Sequence, residues 1–136
     1  MSLNIDTKIL QKVLENEKLK NAKQTEVLIN NIKKEENDDV NKVLEETDLS
    51  KKISIVQELF RFKKDVLRSS IYKTALNNVN EIILKINNEL ELIESDINYV
   101  NSLYFTTMRE IPYYEKLENI KKYNTILNER LAIINF

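Results

Sequence analysis

Between Leu76 and Tyr104 an apolar residue arrives every three or four positions. Tyr72, Val79, Ile86, Ile93 and Val100 share one position of a seven-residue repeat, and Leu76, Ile83, Leu90, Ile97 and Tyr104 share the other. All ten of these core positions are apolar, the pattern that keeps one seam of a helix turned toward a partner helix. The asparagines at 77, 78, 80, 87, 88, 98 and 101 fall off the seam, where their low helix propensity costs only ~0.5 kcal/mol each. No breaker interrupts 51–111, so one very long central helix is expected over about 51–110, ~90 Å at 1.5 Å per residue.

Pro112 ends that helix, because its ring clashes with a continuing turn, and it suits the first position of a last helix over 112–135. Tyr113, Leu117, Ile120, Asn124, Leu127, Leu131 and Ile134 give that helix a seam of its own. Folding back at residue 112 pairs 90 with 134, 93 with 131, 97 with 127, 100 with 124 and 104 with 120. Each pair matches the two core positions as antiparallel packing requires. The expectation is an α-hairpin with its tip at 109–113 and Asn124 against Val100, a buried polar residue setting register.

Upstream, a first helix is expected over 5–34, with Asn4 or Asp6 as cap. Its beginning is amphipathic through Ile5, Ile9, Leu10, Val13 and Leu14. Its middle has only Leu19 and Ala22 to bury and should be loosely held, before Val27, Leu28, Ile29 and Ile32 restore an apolar face. KKEENDD at 33–39 marks a break. A short helix with Val40, Val43 and Leu44 on one side follows, and Thr47, Asp48 and Ser50 can cap the next. Over 53–71 there are two apolar stripes: Ile53, Val56, Phe60 and Leu67, then Ile55, Leu59, Phe62 and Val66. So wide an arc needs two neighbours. One can be the first helix; the other is the short helix, another protomer or a foreign partner. The reading is an all-α, elongated helical bundle forming one domain over 1–136.

Composition narrows the chemistry. The 136 residues include no Gly, Cys, His or Trp and one Pro. Without glycine, tight positive-φ turns are scarce, which disfavours β-rich and Rossmann-like folds and favours helices. Without His and Cys there is no Ser-His-Asp or Cys-His nucleophile and no zinc site of those ligands. Without Gly there is no P-loop and no GxGxxG turn. No catalytic residue, cofactor, metal site or small-molecule substrate is expected. Lys, Asn and Ile supply 52 residues, a bias that reflects an AT-rich genome. There is no signal-peptide core, no apolar run approaching a membrane span and no Asn-x-Ser/Thr sequon, so an intracellular, cytoplasmic protein without membrane insertion is expected.

Net charge is −1, laid out in blocks: +3 over 1–34, −6 over 35–48, +5 over 49–76, −4 over 77–111 and +1 over the last 25 residues. The acidic stretch 35–48 lacks the glycine and spacing of an EF-hand and reads as a solvated connector. In ELELIESD the carboxylates at 89, 91, 94 and 96 point around the helix, whereas an acid–base pair must converge. Lys51, Lys52, Arg61, Lys63, Lys64 and Arg68 form a candidate phosphate-contacting set, although the flanking stripes and acidic block make them ordinary rim charges. Five of six tyrosines, with Phe105, fall between 99 and 123. Tyr99, Phe105, Tyr113 and Tyr114 then either close the hairpin end or form a partner-binding patch, since exposed aromatics are typical interface anchors. With Ile55, Leu59, Phe62 and Val66 they are the candidate protein-contact residues.

The function expected is therefore a non-catalytic interaction protein, a helical subunit or adaptor pairing with itself or other helical chains. A small helical chaperone or inhibitor masking a client, in the manner of export chaperones or phage inhibitors, is the alternative. A nucleic-acid-binding helical domain ranks third.

Overall fold

Two turns of this glycine-free chain use the left-handed backbone region without glycine: Glu36 has φ 53° and Asp48 has φ 50°. They separate three helices. The computed structural model describes residues 7–61, 70–102 and 113–134, and there five helices and no strands are present. α1 covers Thr7–Lys34, α2 Asp38–Glu46, α3 Leu49–Arg61, α4 Ser70–Asn101 and α5 Tyr114–Ile133. Lys33 and Lys34 close α1 where the helix dipole favours cations, and Asp38 and Asp39 open α2 where it favours anions. Asn37 caps α2, its Oδ1 accepting from the Val40 N–H at 3.1 Å. Thr47 ends α2, and the Lys52 N–H reaches the Asp48 carbonyl at 3.3 Å to start α3.

Side-chain bonds between helices give their directions. Lys33 Nζ donates to Ser50 Oγ at 3.1 Å, and Gln57 Nε2 donates to Glu26 Oε2, so α3 runs antiparallel to α1. Asn21 Nδ2 donates to Asn80 Oδ1 at 3.1 Å and Asn101 Nδ2 to Glu35 Oε2 at 3.2 Å, so α4 runs parallel to α1. α3 and α4 therefore point in opposite directions. The long central helix is present, but it begins at Ser70 and has 32 residues, ~48 Å. Leu49–Arg61 is a separate helix folded against the far half of α1, not the continuation of a rod. The reason is burial. Leu49, Ile53, Val56, Leu59 and Phe60 all lose solvent contact, worth on the order of 10 kcal/mol gross at ~1.5–3 kcal/mol per side chain. A straight extension of α4 would leave them in water.

α5 packs antiparallel on α4 as the two seams require, but not in the expected register. Arg130 Nη1 donates to the Asn78 carbonyl at 2.6 Å, and Lys116 pairs with Asp96. Leu131 thus lies level with Val79 rather than Ile93. The seam phase holds while α5 is displaced by two heptads, ~21 Å along α4. A heptad match is blind to shifts of seven. The observed register wins because it covers the whole seam from Leu76 to Ile97, all of it buried. The expected one would have left Leu76 to Ile86 bare on that side. Of the expected tip at 109–113, residues 109–112, Pro112 among them, lie outside the described residues.

Three further expectations change. Asn124 does not face Val100; its Oδ1 accepts from Lys52 Nζ at 2.7 Å. The middle of α1 is not its loose part. Ala22 is fully buried, and Asn21 and Thr25 bond to α4, whereas Ile9, Leu10 and Val13 at its start are exposed. Asn87 is not a surface asparagine: it is 7% exposed and bonded to α1. One core joins all five helices, with α2 lying between α1, α3 and α5 at one end.

Candidate interaction site

At the α2 end, the turn after α1 is tied to the start of α5 by one asparagine. While its Oδ1 caps α2, Asn37 Nδ2 donates to Tyr113 Oη at 2.7 Å. Tyr113 is buried by this arrangement and serves the core. Tyr114, one residue on, is 63% exposed, and Tyr99 near the end of α4 is 58% exposed. Of the four expected tip aromatics, two therefore face solvent and one is structural; Phe105 lies outside the described residues. Tyr114 borders a cleft of about 230 Å³ between α2 and α5, whose floor is Val43, Tyr113 and Leu117 and whose rim includes Asp39, Glu46 and Lys121. Lys121 sits 3.2 Å from Glu118, and this bond with Glu118, followed by its charge, raises the amine above its ordinary value.

The second expected stripe is divided. Leu59 is buried and Ile55 is 47% exposed, so the inward half of the stripe is satisfied within the chain. Phe62 and Val66 lie outside the described residues. The three described members of the basic set, Lys51, Lys52 and Arg61, are differently engaged. Lys51 is exposed, but Lys52 turns inward, donating to the Thr47 carbonyl and Asn124 Oδ1, both at 2.7 Å. Burial lowers the Lys52 amine from its ordinary value, against the opposing pull of Asp48. Arg61 pairs with Glu58 at 2.7 Å, and Lys63, Lys64 and Arg68 are not among the described residues. The carboxylates of 89–96 do not converge. Asp96 bonds Lys116, while Glu89 is buried with Oε2 lacking a hydrogen-bond partner. Among the described residues, no group of three or more candidate ligands could hold a metal ion. Nor is any described helix long and apolar enough to cross a membrane.

The opposite end carries a surface that the sequence reading did not single out. Ile71, in the first turn of α4, is 79% exposed, and Ile133, at the end of α5, is 71% exposed. They flank a cavity of about 290 Å³ between the two helices, completed by Thr74, Ala75, Asn78 and Arg130. Ile9, Leu10 and Val13 of α1 are bare at the same end. A signal was available. In LAII at 131–134, Leu131 and Ile134 take the seam, so Ile133 must point away from it. No protein-family model, curated protein or solved structure matches this chain.

Proposed function

We propose that the protein is a non-catalytic interaction protein, a helical subunit or adaptor that acts inside the cell by pairing with itself or with other helical chains. One observation carries the reading. Ile71 and Ile133, the two most exposed large apolar side chains among the described residues, flank one cavity at the end of the bundle where Ile9, Leu10 and Val13 are also bare. Bare aliphatic side chains flanking a cavity, on a chain whose helices share one buried core, are characteristic of a protein contact. The absence of His and Cys from the chain fits a role in binding rather than catalysis.

Affinity capture from native lysate, with wild type beside Ile71→Lys/Ile133→Lys, tests it. Both substitutions lie on exposed terminal turns and leave the core untouched. A partner retained by wild type and lost by the variant is the expected outcome. Identical captured sets for both chains overturn the reading. Exposed Tyr114 beside the α2–α5 cleft favours a second reading, a small chaperone or inhibitor masking a client. One unrelated client lost on Tyr114→Lys but kept by the isoleucine variant would select it.

A further inference from the structure

The bundle is polarised along its axis. Because α1 and α4 run parallel, the lysine-rich start of α1 and Lys73 come to one end, and the carboxylates of 35–48 and 89–96 come to the other. Residues 7–22, 70–76 and 128–134 carry a net +3, and residues 33–52, 89–101 and 113–122 a net −5. The apolar features are polarised too. The basic end has the aliphatic cavity between Ile71 and Ile133, and the acidic end projects Tyr114 beside a smaller cleft. A twofold dimer through the aliphatic ends would set like charge against like. Joining the aliphatic end of one copy to the tyrosine end of another sets opposite charges together and seats a ring against bare aliphatics.

We propose that the protein associates head to tail, the Ile71–Ile133 cavity of one copy receiving the Tyr114 end of the next. This deepens the interaction-protein reading and rests on it; the partner is a second copy of the chain. Such a contact uses different surfaces on its two sides, so each added copy presents a fresh end, giving open chains or, if the rotation closes, a ring.

Sedimentation velocity of the full chain over a concentration series is the test, with Ile71→Lys/Ile133→Lys as one single-ended variant and Tyr114→Lys as the other. Circular dichroism checks that both fold. Wild type should gain mass with concentration and lose association at ~1 M salt, where the Debye length is ~3 Å. Each variant alone should need roughly tenfold or more higher concentration to associate, the scale of a lost interface anchor. An equimolar mixture of the two should form pairs and nothing larger, because one intact interface remains. Association of Tyr114→Lys like wild type, a mixture that does not pair, or salt-insensitive assembly each overturns the proposal. So does a wild type that stays at 16.1 kDa throughout. That last result leaves the interaction reading standing on the lysate capture, which then identifies a foreign partner.

Discussion

The contact between α1 and α4 turns on a hydroxyl with one proton and two acceptors. Thr25 Oγ1 lies against Asn87 Oδ1 and also 3.0 Å from the Asn21 carbonyl, while Asn87 Nδ2 donates to that same carbonyl at 2.9 Å. Thr25 is fully buried and Asn87 nearly so. Thr25→Val removes the donor and leaves the Asn87 carbonyl oxygen unpaired in the core, at a cost of ~1–3 kcal/mol. Asn87→Leu does the reverse more gently. The Thr25 hydroxyl still has the Asn21 carbonyl within reach, and leucine is the better helix former, so the loss should stay below ~1 kcal/mol. In the double variant nothing is orphaned. Its stability should match Asn87→Leu alone, giving a coupling as large as the Thr25→Val cost itself, ~1–3 kcal/mol. Urea unfolding followed by helical circular dichroism measures this. With a slope of ~1–3 kcal/mol/M, Thr25→Val should lower the midpoint by roughly 1 M. If Asn87→Leu proves the costlier single change, or if the two effects simply add, the assignment of the shared proton is wrong.

Three other outcomes follow from named contacts. Glu89→Leu should raise stability by about 1 kcal/mol or more, because it removes a buried carboxylate oxygen that has no partner; the unfolding midpoint reads it. Tyr113→Phe should cost ~0.5–1.5 kcal/mol through the lost Asn37 bond, whereas Tyr114→Phe should change stability by less than ~0.5 kcal/mol, both by the same unfolding measurement. The register of α5 can be read directly, since the chain has no cysteine of its own. A short thiol cross-linker should join Glu81→Cys to Arg130→Cys within one chain and fail with Leu92→Cys and Arg130→Cys, and the opposite pattern would restore the register centred on Pro112.

Much of the architecture was legible because composition and period are local properties. A chain with no glycine and an unbroken heptad run has few alternatives to packed helices, and the apolar faces of α4 and α5 lie on the seams that the spacing indicates. The break at KKEENDD and the short helix after it were also plain, since Asn37 and the aspartates beside it are strong helix-start residues. The candidate site was legible only in part. Tyr99 and Tyr114 are exposed as a patch requires, but Tyr113 sits between them in sequence and belongs to the core.

Tertiary structure alone decided what each face covers. Periodicity reports that a helix has an apolar side; it carries no record of which partner lies on it. Sliding α5 by two heptads preserves every seam match, so only the total area buried from Leu76 to Ile97 could choose the register. The reversal between α3 and α4 was likewise silent. A heptad pattern does not record a change of chain direction, and both helices gain by lying on α1. That choice also sets the two ends of the molecule, gathering the acidic blocks beside Tyr114 and leaving Ile71 and Ile133 uncovered. The sequence holds these residues far apart, and a surface made of them exists only once α1, α4 and α5 are aligned.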